Sequence, residues 1–105
     1  MTSTVFWQVC ELVDGQISIF KQLNVNFYLQ VSVFSCTNLN YIAIGSVCLR
    51  DRGHSFIGIS TNPLKAYITM MLDIALYIGC VDEEESNELR FLLEETISEN
   101  NSASA

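Results

Sequence analysis

The stretch "LNVNFYLQVSVF", residues 23–34, constrains the fold more than any other part of this chain. Leu23, Val25, Phe27, Leu29, Val31 and Val33 take every odd position. Asn24, Asn26, Gln30 and Ser32 are even, with Tyr28 and Phe34 among them. Side chains of a strand alternate between its faces, so this period of two predicts one face on a core and one largely in water.

The flanking segments also read as strands. Thr4 to Val13 is rich in β-branched and aromatic residues, and Asp14-Gly15 follows, a dipeptide suited to a two-residue type I′ hairpin turn. Gln16 to Phe20 would be the returning strand. "TNLN" at 37–40 reads as a turn and "YIAIGSVCL" as a more apolar, central strand. "RDRGH" at 50–54 reads as a second glycine-containing hairpin loop, and "SFIGIS" as the last strand. Sequential hairpins predict an antiparallel meander.

The period then changes. Asn62 or Thr61 caps a helix and Pro63 takes its first turn, where the missing N–H costs nothing. Lys65, Thr69, Asp73 and Tyr77 recur every four residues, one thin polar stripe on an otherwise apolar helix that Gly79 ends. Asp82, with Glu85 three residues later, has the spacing of a capping box and opens a second helix. Leu89, Leu92, Leu93, Thr96 and Ile97 form its apolar stripe. The expected architecture is α+β: a five-stranded antiparallel β-meander followed by two C-terminal α-helices packed on one face. Residues 1–99 form one domain, and the tail 100–105 ("NNSASA") is disordered.

The segment "GISTNPLKAYITMMLDIALYIG", with Pro63, Ala66, Ala75 and Gly79, resembles the strand–Asn/Thr-Pro–Ala-rich helix ending of small phage proteins described as ABA-sandwich domains. The resemblance covers about twenty of the 105 residues. It implies a mobile-element origin and brings no catalytic residues. Those proteins place a helix before their strands, which the strand pattern here lacks.

Charge restricts the partners. The chain has twelve acidic and five basic residues and a net charge of −7. Cys80 to Asn100 holds eight of the acids against Arg90, while the remaining four acids and four bases cancel. Scattered bases argue against direct nucleic-acid binding and against an anionic membrane surface. The apolar run 63–80 contains Lys65 and Asp73, and reads as a buried helix rather than a membrane span. The N-terminus lacks the pattern of a signal peptide, and Cys10, Cys36, Cys48 and Cys80 form no C-x-x-C pair. The expectation is four buried thiols in a reducing cytoplasm, host cytoplasm for a phage protein, with no metal and no cofactor.

Nucleotide-binding and hydrolase motifs are missing from the sequence. Cys48 and His54 flank one hairpin and would be the nucleophile and base of an enzyme, the last-ranked reading. A binding surface is the stronger expectation. Glu84, Glu88, Glu94, Glu95 and Glu99 repeat along the second helix with few cationic companions, although like charges on a helix repel. A basic partner protein would relieve them. The leading reading is a non-enzymatic, monomeric or homodimeric phage inhibitor of a host protein, of the anti-CRISPR or another anti-defence type. It would mimic nucleic acid by placing carboxylates where phosphates sit. The alternative is a small-ligand module on the polar sheet face, using Asn24, Asn26 and Tyr28.

Overall fold

A computed structural model of the chain describes the backbone of residues 2–104 and the side chains of residues 4–94. The order of elements is α1 (Thr2–Gln22), β1 (Phe27–Ser35), β2 (Tyr41–Leu49), β3 (Arg52–Ser60), α2 (Pro63–Tyr77) and α3 (Glu83–Ser104). The strands form one antiparallel sheet in the order β1-β2-β3. The fold is therefore α+β, but with three strands rather than five and with a helix before the sheet.

The expected N-terminal hairpin is helix α1. Val5, Val9 and Val13 recur every four residues and are buried, as is Phe20. Phe6, Leu12 and Ile17 pack beside them. A helix gathers these residues onto one stripe, whereas a strand would split them between two faces. Asp14 and Gly15 lie on the exposed side of α1, so a turn dipeptide is carried there at a cost of about 1 kcal/mol for the glycine. The helix ends at Asn24, which has φ +56°. There Val25 N–H donates to Phe20 O (2.8 Å) and Asn24 N–H to Lys21 O (3.2 Å), the bond pair of a Schellman cap.

The alternation of β1 holds from Phe27 to Val31, whose odd residues are half-buried and whose even residues are exposed. It relaxes at Val33, which is 44% exposed. The β1–β2 turn falls over residues 37–39, as expected. The β2–β3 connection is tighter than the glycine loop expected at 50–54. Leu49 pairs with Arg52, leaving Arg50 and Asp51 as a two-residue turn, both with positive φ. Gly53 belongs to β3.

Helix α2 is the centre of the core. Asn62 caps it, its side-chain oxygen accepting from Leu64 N–H (2.9 Å) and Lys65 N–H (3.1 Å). Ala66, Ile68, Met70, Met71, Leu72, Ile74 and Ala75 are buried. It lies across β2 and β3 on small residues. A Cβ on Gly58 would come within 2.2 Å of Ala66 O, and one on Gly45 within 2.5 Å of Met70 Sδ. Helices α1 and α3 both pack on α2, and α3 also packs on α1. The molecule is thus layered as sheet, then α1 with α2, then α3. The opposite face of the sheet carries no helix among the described residues.

Candidate functional site

Asp82 begins α3 as expected, its carboxylate accepting from Glu85 N–H at 2.8 Å. Glu83, Glu84 and Glu85 fill the first turn, where the helix dipole favours negative charge. Leu89 and Leu93 are buried against the layer below. This leaves a broad outer face of α3 for solvent or a partner.

Two adjoining hollows lie on this side. One, of about 320 Å³, runs between α1 and α3 and is lined by Gln8, Glu11, Leu12, Glu85, Glu88, Leu89 and Leu92. The other, of about 510 Å³, is lined by Glu84, Asn87, Glu88, Phe91 and Leu92. Glu88 and Leu92 belong to both, so the hollows form one surface. Its floor is aliphatic and aromatic, with Phe91 65% exposed. Its rim carries the carboxylates of Glu11, Glu84, Glu85 and Glu88. Among the described residues, the ion pairs are Lys65–Glu94 (2.6 Å) and Arg90–Asp73, and neither reaches this rim.

The expected acidic residues therefore divide. Glu84 and Glu88 sit on the open surface. Glu94 pairs with Lys65 of α2 and is partly neutralised at the protein surface. The side chains of Glu95 and Glu99 lie outside the described residues, as do those of the 100–105 tail. Glu11, Leu12 and Phe91 were not among the expected site residues. Glu11 and Leu12 reach the surface because α1 is a helix beside α3, which a hairpin reading conceals.

The residues of the alternative ligand site have other work. Asn24 is the left-handed cap of α1 and lies before β1 rather than in it. The Asn26 side chain donates to Asp51 Oδ1 (3.1 Å), and its backbone carbonyl accepts from Arg50 N–H (2.9 Å), so Asn26 props the β2–β3 turn. Tyr28 alone of the three is on the strand, 60% exposed on the helix-free face.

Cys48 and His54 are not brought together. Val47 pairs with His54 and Cys48 with Gly53, so the two side chains project from opposite faces of the sheet. The His54 ring rests on Tyr77 of α2, centroids 4.8 Å apart. All four cysteines are free, and each is half-buried rather than fully buried. Burial raises the Cys10 and Cys80 thiols above their ordinary pKa; Asp14 adds to the rise at Cys10, while at Cys80 a backbone hydrogen bond partly offsets it and Glu85 adds a little. Among the described residues, no His, Cys, Asp and Glu side chains gather as a metal site, and no helix is long and apolar enough to cross a membrane. No family model matches the chain, and no curated protein or solved structure matches it either.

Proposed function

We propose that the chain is an interaction protein that binds a basic partner protein through the α1–α3 surface. One observation carries this reading: four glutamates, Glu11, Glu84, Glu85 and Glu88, ring an exposed apolar floor that includes Leu92 and Phe91. Glu11 of α1 and Glu85 and Glu88 of α3 line one groove and give it a single sign of charge. A partner segment with Lys or Arg at its edges and apolar residues on its face would satisfy both parts of this surface. The use we assign to the binding is inhibition: occupying a basic, nucleic-acid-binding surface of a host protein in an anti-defence role.

The test is affinity capture from a host lysate with wild-type and Glu11→Lys/Glu88→Lys baits, followed by competition with duplex nucleic acid. The wild type should retain a basic protein that the variant loses, that raised salt elutes and that nucleic acid displaces. Identical capture by both baits would return these glutamates to a solubilising role. Retention of the protein in the presence of nucleic acid would keep the binding site but remove the mimicry.

A further inference from the structure

The helix-free face of the sheet is the other large surface without a covering element. Strand pairing places twelve residues on it in four rows of three. Phe34, Ile42 and Ile59 form one end row, and Ser32, Ile44 and Ile57 the next. The other two rows begin with Gln30 and Tyr28, and all twelve positions are uncharged. Phe34 is 53% exposed, Ile57 55% and Ile59 61%. A solvated face of an antiparallel sheet ordinarily alternates to polar residues, so adjacent exposed isoleucines on one strand, beside Phe34 at the other edge, mark an interaction surface.

We propose that this face packs on the same face of a second copy of the chain, giving a two-sheet sandwich. The placement of charge permits that occupant. A chain of net charge −7 repels its own copy wherever its acids lie, and the acids of α3 lie in the layer farthest from this face. Two sheets and two layers of helices would separate the α3 helices. Each layer adds about 10 Å, against a screening length of about 8 Å at physiological salt. A basic partner would gain nothing from an uncharged face, whereas a second copy would meet here the part of its surface that carries no acid.

The area also fits. Tyr28, Phe34, Ile57 and Ile59 expose on the order of 500 Å² together, given the large surfaces of such side chains. A standard interface needs about 800 Å² per partner, and the eight other positions contribute to the remainder. The arrangement of rows then fixes the symmetry. A two-fold axis along β2 keeps apolar rows on apolar rows and lays β1 of one copy over β3 of the other. Phe34 meets Ile57 and Ile59 of the second copy, while Ile42, Ile44 and Cys48 each face their own equivalents. An axis across the strands would set Ile44 on Ser46 and Ile57 on Ser55.

Sedimentation equilibrium of the full chain at tens of micromolar should give twice the 11.8 kDa monomer mass. The Ile57→Lys/Ile59→Lys variant should sediment as monomer with its far-ultraviolet circular dichroism retained. It is less acidic than the wild type, so general repulsion cannot be the cause. A short bismaleimide should cross-link wild-type dimer through Cys48, and Cys48→Ser should remove most of the product. This second readout needs no charged variant to fold. Wild type at the monomer mass, a folded lysine variant that stays dimeric, or cross-linking indifferent to Cys48→Ser would each overturn the proposal. The surface lies on the side opposite Glu11 and Glu88, so failure of either test leaves the other standing.

Discussion

Three glycines separate the roles that a missing side chain plays here. Gly58 lies under the backbone of α2, where a Cβ would meet Ala66 O at 2.2 Å and Met70 N at 2.9 Å. Backbone atoms cannot step aside without moving the helix. Gly45 would meet Met70 Sδ and Ile74 Cδ1, both side-chain atoms that can move without shifting the helix backbone. Gly58→Ala should therefore cost about 3 kcal/mol or more and Gly45→Ala less, within the range of overpacked cores. Gly15 sits inside α1 in open space, where a Cβ would meet nothing within 4 Å. Gly15→Ala should stabilise by up to about 1 kcal/mol through helix propensity alone. Urea denaturation of the three variants decides the matter. A destabilised Gly15→Ala would restore the Asp14-Gly15 turn and remove helix α1.

At the scale of elements, the order of charges matches how α2 and α3 lie. Lys65 precedes Asp73 on α2, and Arg90 precedes Glu94 on α3. Only antiparallel helices match Lys65 with Glu94 and Asp73 with Arg90, the pairs observed. A parallel arrangement would oppose like charges. The Glu94 side chain is 62% exposed, so the Lys65 pair is worth only about 0.2–1 kcal/mol. Lys65→Glu should lose that amount and Lys65→Glu/Glu94→Lys should largely recover it, with the difference fading in high salt. Equal stabilities in all three proteins would mean that apolar packing orients the pair unaided. The thin polar stripe on α2 is legible in the sequence. Its use against α3 depends on two helices being antiparallel, which no residue of α2 encodes.

For the molecule as a whole, the distribution of charge should be visible in its stability. Glu11, Glu85 and Glu88 line one groove and make no ion pair among the described residues, so their like charges should work against α1–α3 packing. The melting temperature should rise as salt is added from low ionic strength, because screening weakens that repulsion. Glu11→Lys should raise it at low salt and flatten the dependence, by an amount equivalent to a few tenths of a kcal/mol. Calorimetry over a salt series measures both. An unchanged slope in the variant would show that the groove is open enough for water to screen the three carboxylates already. A flatter slope in the variant would show that this surface keeps its charge against its own stability, which is a reason to look for the partner there.

The sequence by itself determined the local features. The alternation at Phe27 to Val31, the Asn62 cap with Pro63, the stop at Gly79 and the start at Asp82 each depend on a few neighbouring residues, and each is readable from them. So is the acid of α3. What only the tertiary structure decided was whether Thr4 to Phe20 is helix or hairpin. Its β-branched residues and Asp14-Gly15 favour a hairpin locally, and the gain from burying Val5, Val9, Val13 and Phe20 in the shared core exceeds that preference. The same choice brings Glu11 beside Glu85 and Glu88, and it leaves Phe34, Ile57 and Ile59 on a sheet face with no helix. The part of the acidic surface carried by α3 alone, with Glu84 and Glu88, was legible in its own segment. The arrival of Glu11 beside it and the three-stranded sheet face come from packing between segments far apart in the chain, so neither could be read from any one of them.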